Sequence, residues 1–148
     1  MSISNNYTTL INNLDSSIQK KEDENSELSQ QEQKNKELLN KQDWEIFYLK
    51  MKLRRQKDKI YSFLKESGGL FNLNSDQRNF YNLLLSKRDS LSGSLFSLKN
   101  TNYDLNIETI SLQNKQISNS LTIFNDTLDK GEYLNQQALF NKMTEGLG

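Results

Sequence analysis

Two pairs of carboxylates, Asp23 with Glu27 and Asp126 with Asp129, fall at helical spacing and are the chain's nearest approach to an acid–base constellation. Such work needs apolar surroundings or a close charge that shifts one carboxyl away from its ordinary range. Both pairs sit among polar residues and read as solvated charges. The 148 residues contain no histidine and no cysteine, which removes the commonest general base, the thiolate nucleophile and the usual metal ligands. Ser67-Gly68-Gly69 lacks the spaced glycines and the lysine of a phosphate loop. The expectation is no catalytic residue, no metal site and no cofactor. One charged stretch stands out: Lys50, Lys52, Arg54, Arg55, Lys57 and Lys59 surround the single acid Asp58. Trp44, Phe47, Tyr48, Tyr61 and Phe63 interleave with or flank these cations, a pattern that suits phosphate contact and base stacking. An ordinary wet helix face explains the same cations, and it is the favoured reading.

What must position these residues is helical. The chain has no proline, no valine and one alanine, Ala138, and its 34% hydrophobic content is low for a thick core. From about Ser4 to Ser67 one heptad frame runs unbroken. Its first series is Ile11, Ile18, Asn25, Glu32, Leu39, Ile46, Leu53 and Ile60; its second is Leu14, Lys21, Leu28, Asn35, Gln42, Leu49, Gln56 and Phe63. A period of 3.5 sustained over this length predicts a supercoiled helix, a rod of about 90 Å that is unstable alone. Between Gln19 and Lys36 the seam is polar apart from Leu28, which suggests either a frayed stalk or a segment whose polar layers select a partner.

Ser67-Gly68-Gly69 ends this helix, and Asn74 or Ser75 caps the next, with Gln77 three residues after Asn74 as in a capping box. The second helix carries Leu84, Leu91, Leu98, Leu105 and Leu112 every seven residues, interleaved with Tyr81, Arg88, Leu95, Asn102 and Thr109. Gly131 is expected to interrupt it and to leave a short terminal helix, with Gly146-Leu147-Gly148 frayed. The predicted fold is therefore all-α: an elongated antiparallel coiled-coil helical hairpin with a short C-terminal helix, completed by a second chain. Its parts are a first helix over 1–67, a hinge loop over 68–74, a second helix over 75–130, and a terminal helix and tail over 131–148.

Closing the hairpin at the glycines makes the numbers of facing residues add up to about 141, with one layer of side chains on each helix meeting the other. Near the turn this puts Leu95 opposite Ile46, and Gly93 could make room for Phe47 and Tyr48. Farther out, a second stripe of the second helix, Ile107, Ile110, Ile117, Leu121, Phe124 and Leu128, falls against the polar third of the first. Left in water, such a stripe marks an interaction site, so these six residues are the candidate interface for a second copy, as a homodimer, or for another coiled-coil subunit. Charge follows the same geometry: residues 1–49 carry a net −4, 50–103 a net +7 and 104–148 a net −3.

The functional expectation is a non-catalytic structural or interaction subunit, a coiled-coil scaffold or bridge in a larger assembly. In general style the chain resembles the small helical subunits of eukaryotic kinetochore, transcription-coactivator and membrane-tethering complexes. That resemblance rests on heptads and polar composition and carries no residue roles. The alternative is a nucleic-acid or anionic-surface binding module that uses the basic segment. No transmembrane segment or leader is evident, and a soluble intracellular protein is expected.

Overall fold

The structure is a computed structural model that describes residues 3–146, with side chains from Asn6 onward; Leu147, Gly148 and the fraying expected of them lie outside the described residues. Two long helices make up nearly all of it: α1, Ile3–Glu66, and α2, Ser75–Glu145. They are joined by a turn holding one short 3-10 segment, Leu70–Asn72. Among the described residues there is no strand. No helix among them is long and apolar enough to cross a membrane.

The turn follows from its glycines and its asparagines. Gly69 N–H bonds to Leu64 C=O at 2.8 Å and Gly68 N–H to Lys65 C=O at 3.4 Å, the paired closure that satisfies the last carbonyls of a helix. That closure requires positive φ, which Gly68 supplies at 82°. Gly69, with φ 102° and ψ 166°, sits where only glycine is comfortable. The Asn72 amide then donates to Gly68 C=O at 2.7 Å. α2 starts with the capping box expected of it: Gln77 N–H donates to Asn74 Oδ1 at 2.8 Å, and Asn74 N–H donates to Gln77 Oε1 at 2.9 Å. Of the three apolar residues in the turn, Leu73 is buried, whereas Phe71 is 96% exposed.

The described chain divides into two compact units. One is Asn35–Glu108; the other joins the chain up to Lys34 with the chain from Thr109. In the first, the heptad residues of α1 from Leu39 to Phe63 and of α2 from Tyr81 to Leu105 are buried or half-buried, with Ile60, Leu95, Gln42 and Gln56 the most enclosed. Phe63 meets Phe80 edge-on at 5.1 Å between centroids, and Gln56 Nε2 donates to Leu84 C=O at 2.9 Å. Trp44, Phe47 and Tyr48 form a chain of edge contacts along the exposed side of α1 instead of packing at Gly93. A Cβ at Gly93 would meet nothing within 4 Å, so the expected notch is absent.

In the second unit the seam mixes apolar residues, among them the buried Ile11 and Leu28, with polar layers held by amides and ion pairs. Glu32 accepts from Gln113 at 3.0 Å and from Gln116 at 2.8 Å. Asn25 Nδ2 lies 3.3 Å from both Gln116 C=O and Ser120 Oγ. Ser17 donates to Asp126 at 3.0 Å, Lys130 meets Asp15 at 2.6 Å and Lys115 meets Glu24 at 3.7 Å. The polar third of α1 is thus helical and paired, not frayed. The break expected at Gly131 is also corrected, because α2 runs through it to Glu145. Beyond the glycine, Tyr133, Gln137 and Phe140 continue the half-buried seam. Tyr133 packs against Tyr7 at 6.3 Å and Gln137 donates to Thr8 at 2.9 Å. A helical glycine costs only about 1 kcal/mol, which such packing offsets.

Candidate functional site

Within the unit that contains it, the stretch from Thr109 to Lys130 presents two different faces of α2. Thr109, Leu112, Gln116, Asn119, Ile123, Asp126 and Lys130 turn towards α1 and are buried or half-buried. One or two positions on from these lie Ile110, Ile117, Leu121, Phe124 and Leu128, all exposed; Ile117 is 59% and Leu121 60% exposed. At 100° per residue, the centre of this stripe lies about 150° round the helix from the seam. The register explains the arrangement. Asn25 and Glu32 of α1 are matched by Gln113, Gln116 and Ser120 of α2 and Glu24 by Lys115, so the large apolar side chains of this stretch other than Leu112 and Ile123 fall on the outer face. Ile107, in the other unit, is likewise exposed, as are Phe96 and Tyr103.

One residue of the outer stripe escapes a search for apolar side chains. Asn114 is exposed and stands between Ile110 and Ile117, four residues after the first and three before the second. Its signal in the sequence is position, since the same heptad holds Leu121 and Leu128.

In the Asn35–Glu108 unit the six cations are all exposed, but they do not act as one patch. Lys52, Arg55 and Lys59 line a groove of about 300 Å³ together with Gln56, Leu91 and Lys87 of α2. Lys50, Arg54 and Lys57 do not line it. None of the four groove cations forms an ion pair with a carboxylate among the described residues. Spacing of three and four residues brings the first three to one side of α1, and the register adds Lys87, which the run of charges alone does not include.

One carboxylate of each pair accepts a hydrogen bond: Asp126 from Ser17 across the seam, and Asp23 from Gln19 at 2.9 Å. Among the described residues, no group of three or more Asp or Glu is placed to hold a metal ion. Comparison with known proteins found no matching family model, no similar curated protein and no similar solved structure.

Proposed function

We propose that this chain is a non-catalytic interaction subunit, a coiled-coil scaffold or bridge whose outer α2 face docks a helix of a partner. The observation that carries the reading is the exposed stripe Ile110, Ile117, Leu121, Phe124 and Leu128. Burying each of these side chains is worth about 1.5–3 kcal/mol, a sum that a helix stripe left in water forgoes. The partner closes the assembly that the thin seam of the chain leaves open. The test is sedimentation of the parent and of an Ile117→Ser, Leu121→Ser variant, each alone and in extract of the source cell. The variant is expected to lose the heavier species that the parent forms, while Leu53→Ser, in the seam near the turn, loosens helicity and leaves that species in place. A double variant that keeps the parental mass in both conditions overturns the reading.

A second reading, binding of a nucleic acid or other anionic surface, is favoured by the convergence of Lys52, Arg55, Lys59 and Lys87 on one groove. Four cations that each neutralise a phosphate give a logarithmic salt slope of about −3 for single strands. Binding of a fluorescent single-stranded oligonucleotide is expected to fall with that slope and to be lost in Arg55→Glu with Lys59→Glu. Helicity is expected to be unchanged, since neither residue lies in the seam. Salt-independent binding, or none, rejects this second reading.

A further inference from the structure

Resting on the helix-docking reading above, we infer that the occupant of the outer α2 face is the same face of a second copy of this chain, lying parallel and in register about Asn114. The stripe is a seam in its own right. Ile110, Ile117 and Phe124 recur every seven residues, Asn114, Leu121 and Leu128 form the second series, and the steps between them alternate four and three. That two-series pattern is what one helix presents to another of the same period, and globular surfaces or extended peptides do not match it.

The residues flanking the stripe identify the second helix. Ser111, Ser118 and Asn125 border it on one side, and Gln113, Ser120 and Thr127 on the other. In paired helices these flanks choose partners by charge. All six are uncharged, and on one side Gln113 holds the nearest carboxylate, Glu32 of α1, in a hydrogen bond, so the flanks of two copies bring no like charges together and give a partner with charged flanks nothing to pair with. The five apolar residues, 55–60% exposed, supply the apolar centre that a specific interface needs.

Asn114 sets orientation and register. In a parallel, in-register pair its amide faces the amide of the other copy, and each donates to the other's carbonyl within an otherwise apolar seam, the arrangement by which a single asparagine specifies two-stranded pairing. An antiparallel pair centred on the stripe sets Asn114 against Phe124, and a slip of one heptad sets it against Leu121. Either arrangement buries an amide with no partner, which folding and association both disfavour.

The chain has no cysteine, so an introduced one is its only thiol. Asn114→Cys and Leu128→Cys are each oxidised mildly, beside Asn12→Cys on the exposed side of α1 as a control for random collision, and the parent is sedimented over a dilution series. The expected result is a parent of twice 17.3 kDa, with disulfide dimers forming several-fold faster in both stripe variants than in the control. No single antiparallel register brings positions 114 and 128 each to its own copy. A dimeric parent in which one or neither variant cross-links therefore overturns the parallel pair and leaves helix docking intact. A parent of single-chain mass at every concentration overturns self-pairing. In that case the Ile117→Ser, Leu121→Ser comparison in extract still decides separately whether the face docks a partner helix.

Discussion

Leu95→Asp is expected to destabilise the hairpin by at least about 4 kcal/mol, while Phe96→Asp, one residue on, is expected to change it by less than about 0.5 kcal/mol. Leu95 is one of the few buried apolar side chains, on the face of α2 that meets α1. Its loss removes about 1.5–3 kcal/mol of burial. The carboxylate that replaces it lies in a seam whose nearest cation in the same series, Arg88, is seven residues away and already paired with Asp89, and burying an unpaired charge adds several kcal/mol. Phe96 points into water, so an aspartate there exchanges one exposed group for another. Urea denaturation followed by far-UV circular dichroism reads both variants against the parent. Equal losses of stability at the two positions would show that the seam has been placed on the wrong face.

The second large effect runs in the opposite direction. Asn119 occupies the heptad place after Leu112, is buried, and its Nδ2 has no hydrogen-bond partner. A buried donor left unsatisfied costs about 1–3 kcal/mol. Asn119→Leu removes that donor and extends the leucine series by one step, so a gain of about 1–3 kcal/mol is expected. Gln56 supplies the contrast, because its Nε2 donates to Leu84 C=O. Gln56→Leu removes a hydrogen bond along with the polar group, and it is expected to shift the midpoint by less. The pair is measured by urea midpoint at equal slope. A Gln56→Leu gain that matches or exceeds that of Asn119→Leu would mean that polarity alone, and not satisfaction, sets the cost of these layers.

Much of this architecture was legible in the residues. The frame from Ile11 to Phe63 is the buried face of α1, since a 3.5-residue period leaves one face to bury whatever the side chains are; even Lys21, Asn25 and Glu32 follow it. The five leucines of α2 locate its seam for the same reason. Gly68 and Asn74 mark the turn because positive φ and a reciprocal cap are local requirements. Gly131 misled, since its modest local cost is visible in sequence whereas the Tyr7–Tyr133 contact that offsets it joins opposite ends of the chain. Gly93 misled likewise: the aromatics near it turn outward, and facing numbers fix which residues are level but not which side they take. In the basic segment the run of charges was plain, yet only the fold separates Lys52, Arg55 and Lys59 from Lys50, Arg54 and Lys57 and adds Lys87 to the first set.

Antiparallel closure at one glycine turn also orders events in time. Phe63 and Phe80 are close neighbours along the chain, so their contact closes a short loop at little entropic cost and is available as soon as the turn exists. Thr8 and Gln137 are separated by 129 residues. On a ribosome adding about 5–20 residues per second, the start of α1 emerges on the order of ten seconds before the part of α2 that contacts it. During that interval Ile11, Leu14 and Ile18 have no cover from their own chain. Pairing that advances outward from the turn reaches the amide and ion-pair layers of Glu32, Asn25 and Asp15 late, and the Tyr7–Tyr133 contact last. Polar layers suit that late segment: while Lys21, Asn25 and Glu32 wait they are wetted by water, and they interrupt the apolar series that Ile11, Leu14 and Ile18 begin.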